Sequence, residues 1–232
     1  MTLASISDHE AFAVTRDALH AVAEHVLAAY RYRVERRIGL VVTDHGFGTP
    51  ELPDRGAARV ERRELVVVQR GATRTSTLTT LAAAGAECGI EPGAPAVYPP
   101  ATPLVVDAPL PIDVDASDRL AAWNAFAWAI LEELGGDAVG PTLWPEHFDA
   151  AVDLGDEARG TRGTFGASPG DDEHSTPYLY VTHWADTPDD PYWNDAAFGG
   201  ASLAYEALVD AKDPAAAAHD FFATGRAMLG NA

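Results

Sequence analysis

Apolar residues along the chain fall into two kinds of rhythm. After Ser7-Asp8-His9-Glu10, the residues Phe12, Leu19, Val22, Val26 and Tyr30 recur at helical spacing. That pattern predicts an amphipathic helix over 8–30, capped by Ser7 with Glu10 reaching back from the third helical position. A second helix is predicted at 118–134, where Leu120, Trp123, Ala127, Ile130 and Leu134 form one stripe and Gly135-Gly136 ends it. Asp213-Pro214 supplies a cap and a first-turn proline for a third, running toward Gly230. Between these the runs shorten. IGLVV at 38–42 reads as a strand entering the turn-rich TDHGFGTP, and ARVERRELVVVQRG at 58–71 reads as two strands around a charged turn. STLTTLAAAGAECG reads as a helix ending near Gly89.

In the second half, HFDAAVDL (147–154), RGTFGAS (162–168), PYLYVTHW (177–184) and SLAYEALV (202–209) are short, with turn chemistry between them. This succession predicts an antiparallel sheet, with SLAYEALV equally readable as helix. The fold class is α+β, with mostly antiparallel strands in each half and helices packed on one face. The chain reads as a single compact domain over 1–232, its sub-lobes 1–90 and 117–232 joined by a connection at 91–116. That connection carries seven of the sixteen prolines, so it is extended and not helical, and its Val, Leu and Ile predict that it packs on the body. Both halves run strands then helix, without a residue-level repeat.

Composition changes the picture through charge. Thirty-five acidic against sixteen basic residues give a net charge of −19, and Lys212 is the only lysine. Such a surface repels nucleic acid and anionic membranes, so neither is an expected partner. The start MTLASISDHEAF lacks the basic and apolar regions of a signal peptide, and no apolar run approaches the ~18 residues of a membrane helix. Cys88 is alone and has no basic neighbours, which reads as a structural thiol in a soluble, cytoplasmic protein.

The candidate chemistry concentrates at Trp144-Pro145-Glu146-His147-Phe148-Asp149. A strand over 146–152 would put His147 and Asp149 on one face, about 7 Å apart at ~3.4 Å of rise per residue. Such a pair serves acid–base work or a divalent metal, with Glu146 beside it as a third catalytic candidate. His174, in SPGDDEHSTP, and His183 complete with His147 a possible set for zinc, iron or manganese. Trp144, Asp171, His174, Tyr180, His183 and Trp184 are the candidate ligand-binding residues. Tyr178, Tyr180, Trp184, Tyr192 and Trp193 could line an apolar pocket for a small molecule.

Other motifs fail. GASPG matches a nucleophile elbow, but Pro169 lacks the N–H that an oxyanion needs there. The aspartates after Trp184 lack the order of a calcium loop. Gly46 and Gly48 beside His45 permit a close backbone approach, without the lysine of a phosphate cradle. His20 and Glu24, one helical turn apart, read as a surface pair.

The order LWPEHFD, RGTFGASPGD, PYLYV and FGGAxL, with HAVAEHVLAAYRYRVERRIGL, GFGTP and LVVVQRG before it, resembles an uncharacterised bacterial family common in actinobacteria. The resemblance implies that 144–149 and 168–171 are signature positions, and it carries no activity or catalytic residues. The reading is a small-molecule enzyme using His147 and Asp149 for hydrolysis or proton transfer. A non-catalytic small-molecule-binding protein and a structural or interaction protein are the alternatives. Oligomeric state, ligand and pathway are open.

Overall fold

The computed structural model describes residues 3–136, 138–187 and 189–230. It contains two five-stranded antiparallel sheets and is α+β, as the periodicities predict. The chain divides into two compact units, one of Ile6–Ala125 with Leu143–Phe148, the other of Met1–Ser5, Phe126–Thr142 and Asp149–Ala232. The proline-rich stretch therefore lies wholly within the first unit. The helix expected at 118–134 begins earlier, as α4 (Val114–Gly135), and contributes its two ends to different units.

The first unit opens with α1 (His9–Val22), continues without a break through a π-helical turn (Ala23–Ala28), and ends in α2 (Ala29–Glu35). The cap is Asp8 and not Ser7: the Asp8 carboxylate accepts from the Ala11 N–H at 2.9 Å. Phe12, Leu19, Val22, Val26 and Tyr30 are all buried, as their spacing requires. A meander follows: β1 (Val41–Thr43), β2 (Gly46–Gly48), β3 (Ala57–Glu61), β4 (Glu64–Gln69) and β5 (Ala72–Thr77). Each strand pairs antiparallel with the next. Then α3 (Leu81–Cys88) starts at Thr80, whose hydroxyl caps Ala83 N, and stops at left-handed Gly89.

Two of these strands escape a hydrophobic reading. β5 is almost fully exposed and built of Thr, Ser, Ala and Arg. β2 is the sequence GFG, expected as turn. Its glycines do permit a close approach, but to protein: a Cβ on Gly46 would stand 2.1 Å from the Val60 carbonyl oxygen of β3, and one on Gly48 2.4 Å from Arg59 Cβ.

The second sheet has the order β10-β9-β8-β7-β6, formed by β6 (Thr142–Trp144), β7 (Asp149–Leu154), β8 (Gly163–Ser168), β9 (Tyr178–His183) and β10 (Ala201–Ala204). SLAYEALV is both of its readings at once, since β10 passes at Tyr205 directly into α5 (Tyr205–Asp210). The final helix α6 (Pro214–Met228) has Asp213 as its cap, accepting from Ala216 N at 3.1 Å. It lies along β9 and β10, with Phe222 edge-on to Phe165, ring centroids 5.9 Å apart. Gly225 permits that seat: a Cβ there would meet the Tyr192 hydroxyl at 2.6 Å. Each sheet is thus a sequential meander with helices before and after it in the chain, so the shared order of the two halves is present as topology.

Candidate functional site

The strand expected from residue 146 begins only at Asp149. Pro145–Phe148 form a turn, and Phe148 is left-handed at φ 54°, a conformation that bulky side chains rarely adopt. Alternation of faces therefore does not run from His147 to Asp149. His147 is exposed on the turn, whereas Asp149 is buried at the start of β7 in the other unit. The pair on which an acid–base reading rested does not share a strand.

His20 holds the turn in place. Its Nε2 donates to the Pro145 carbonyl at 2.8 Å, and its ring stacks on Phe148 with centroids 5.2 Å apart and planes within 10°. Phe148 is 1% exposed and meets Phe47 edge-on at 5.0 Å. Burial of that ring, worth roughly 1.5–3 kcal/mol, works against the strain of its backbone. Trp144 stays 38% exposed, so it does not anchor the entry in the core. Glu146 is half-buried, its Oε2 closed off from solvent without a hydrogen-bond partner. Burial pushes the His20 imidazole below its ordinary 6.5, against the opposing pull of Glu24 and the Pro145 carbonyl.

One turn along the same helix the surface-pair reading of His20 and Glu24 is corrected. Glu24 and His25 are 0% and 1% exposed. Every residue of the π-helical turn is buried, because the proline-rich strap covers the side that the sequence marks as polar. Glu24 accepts from Ala101 N at 3.0 Å and from Thr102 N and Oγ1 at 2.8 and 2.5 Å. His25 Nδ1 accepts from Ala94 N at 3.1 Å, which places the ring proton on Nε2, donating to the Thr102 carbonyl at 3.0 Å. The His25 carbonyl accepts from Gly93 N at 2.9 Å. A buried carboxylate is tolerable only when so satisfied, and π-helical turns recur at functional places in proteins.

The strap is fastened further along as well. Val106 O accepts from Ala82 N and Thr79 O from Leu110 N, both at 2.8 Å, and Thr15 Oγ1 accepts from Asp113 N at 3.0 Å. Its backbone is held, yet Val97, Leu104 and Val105 are 54%, 49% and 53% exposed. Tyr98 is half-buried between Pro-rich flanks; burial, then the charges of Glu24 and Glu146, push its phenol well above the ordinary range.

In the second unit, Tyr178 and Tyr180 lie on one face of β9 and each finds a carboxylate. Tyr180 donates to Asp149, its ring lying across Gly166, where a Cβ would stand 2.3 Å from Tyr180 Cζ. Burial, then the Asp149 charge, raises the Tyr180 phenol well above its ordinary value. Tyr178 donates to Asp171 Oδ2 at 2.6 Å, and Asp171 Oδ1 accepts from the N–H groups of Glu173 and His174 at 2.9 and 2.8 Å. Partial burial works to raise the Asp171 carboxyl, but these donors prevail and hold it below the usual carboxylate value. His174 Nε2 lies 2.9 Å from the carboxylate of buried Asp195, while Nδ1 faces Asp171 at 3.5 Å. Asp171 and His174 thus lock their own turn and tie it to the segment of Asp195. Ser168, buried at the end of β8, accepts from Gly170 N at 3.1 Å, and turn rather than helix follows it.

The remaining candidates are also engaged. His183 turns both ring nitrogens to backbone carbonyls, Nε2 to Gly160 at 2.9 Å and Nδ1 to Asp186 at 3.2 Å. Among the described residues, no three His, Cys, Asp or Glu side chains stand together so as to hold a metal ion, and the expected centre of His147, His174 and His183 is not formed. The aromatic residues pack on one another: Tyr178, Tyr180 and Phe198 with His174, and Trp193 with His183 and Tyr192. Trp184, 50% exposed, lies under the Arg162 guanidinium at 4.2 Å and donates to Thr164 Oγ1. An open depression of about 790 Å³ is lined by Gly155, Asp156, Glu157, Ala158 and Arg162, none of them a sequence candidate. No described helix is long and apolar enough to cross a membrane.

Sequence reasoning missed Glu24, His25 and the strap they hold as a unit. A signal was present: two titratable residues inside an otherwise apolar helical run, in a chain with a long proline-rich segment to cover them. Comparison with family models, curated proteins and solved structures finds no match.

Proposed function

We propose that the protein works as an interaction protein, presenting the strap over 91–113 to another protein. The observation that carries this reading is the combination of a fixed backbone with exposed apolar side chains. Val97, Leu104 and Val105 are three of the seven exposed large apolar residues described, and all three lie on one segment held by Glu24 and His25. A preorganised proline-rich segment loses little conformational entropy on docking, which is why such segments serve as recognition elements. The alternative of acid–base catalysis at His147 and Asp149 lacks support from their placement, since Asp149 accepts from Tyr180 and His147 stands on an exposed turn.

The test is site-specific photocrosslinking in the native cell, with the crosslinker at position 104 and, as a control, at exposed position 157. A discrete protein adduct from position 104 that is lost on Val97→Asp with Val105→Asp supports the reading. Equal diffuse labelling from both positions, or none, sinks it.

A further inference from the structure

The strap carries a second property besides its exposed apolar residues. Between Arg74 and Arg119 the sequence has no Lys, Arg or His, while Glu87, Glu91, Asp107, Asp113, Asp115 and Asp118 all fall there. Glu91, Asp107, Asp113 and Asp115 are exposed. Asp118 pairs with Arg62 at 2.8 Å and Glu87 with Arg74 at 3.7 Å, which leaves uncompensated charge on the strap itself. Val97, Leu104 and Val105 are therefore flanked by carboxylates of one sign. Resting on the interaction reading above, we infer that the strap's partner is a protein segment that is both apolar and cationic, with Leu- or Trp-type side chains against Val97, Leu104 and Val105 and Lys or Arg on the carboxylates.

The physical argument is one of selection. Apolar contact alone would accept many surfaces, including a second copy of this chain. A net charge of −19 makes self-docking repulsive, and acidic or neutral partners lose to basic ones in encounter rate and in register. Anionic lipid surfaces are disfavoured by the same sign of charge.

The test uses three short amphipathic peptides that share Leu and Trp positions and carry Lys, Ser or Glu elsewhere, titrated by fluorescence anisotropy into the full-length protein. The expected result is tightest binding of the Lys peptide, weakened by salt, and weakened tenfold or more by the triple variant Val97→Asp, Leu104→Asp, Val105→Asp. That variant makes the protein more negative, so attraction by net charge alone would strengthen instead, and strengthening overturns the inference. A triple serine variant, with matching circular dichroism, guards against misfolding and is expected to weaken binding as well. Strap-dependent binding of the Ser or Glu peptide as tight as that of the Lys peptide overturns the cationic partner while leaving the strap as the docking surface. No strap-dependent binding of any peptide overturns both.

Discussion

Thr102 gives Glu24 two hydrogen bonds at once, from its backbone N–H at 2.8 Å and its hydroxyl at 2.5 Å. With Ala101 N as a third donor, this carboxylate stands in for the partners that an extended segment cannot find in itself. Replacing Glu24 by Ala orphans two backbone N–H groups at about 1–3 kcal/mol each. We expect Glu24→Ala to lower the stability of the protein by roughly 3 kcal/mol in urea unfolding, by the same bookkeeping. Limited proteolysis is expected to cut first within 91–113. Cleavage elsewhere, with the strap intact, would contradict its anchoring.

His20 predicts a pH dependence with a definite sign. Its folded-state value lies below the ordinary 6.5, chiefly because burial penalises the imidazolium. The folded protein therefore binds fewer protons at this site than the unfolded chain. The stabilisation is fully present above 6.5 and is lost as pH falls through the folded-state value. Melting temperatures from above pH 6.5 downward should fall more steeply for the natural protein than for His20→Gln. Parallel curves would mean that His20 does not titrate in the fold.

Tyr180 and Gly166 are coupled. Tyr180→Phe removes a hydrogen bond to Asp149 and is expected to cost about 2 kcal/mol, in the range for bonds to charged groups. Gly166→Ala drives a methyl into the Tyr180 ring and should cost about 1–3 kcal/mol as overpacking. In a Tyr180→Ser background the alanine should be nearly free of cost. Additive effects in chemical denaturation would show that the ring does not lie across Gly166 in solution.

Cys88 should be inert. Burial, then the neighbouring Glu87 charge, pushes its thiol up to about 12, so almost no thiolate forms near neutral pH. Iodoacetamide at about pH 8 is expected to leave the native protein unmodified and to alkylate it fully in denaturant, read by intact mass. Rapid native alkylation would place the thiol at the surface.

The sequence was legible where apolar residues set the period. Phe12, Val22 and Tyr30 marked their helix, Trp123 and Ile130 theirs, and β3, β4, β8 and β9 lie where the alternation put them. It misled where a residue's type and its burial part company. β2 has glycine at 46 and 48 because β3 approaches too closely for a side chain at those two positions, and β5 is an exposed strand with no apolar face to announce it. Phe148 continued the alternation of Ala150 and Val152, but its left-handed backbone turned the chain one residue before the strand. Glu24 and His25 looked like the wet side of a helix because their cover, at Ala94 and at Ala101-Thr102, lies 69 to 78 residues away in the chain. Nothing local in HAVAEHV encodes that distance.

That separation also orders the folding of the first unit. β1 to β5 join by hairpins between neighbours in sequence, which close quickly, whereas the fastening of Thr102 to Glu24 must close a loop of 78 residues. During synthesis the helix and the whole meander leave the ribosome before the strap does. Until it arrives, Glu24 and His25 lack every backbone partner that the strap brings them, so the seam they hold is among the last parts of this unit to close.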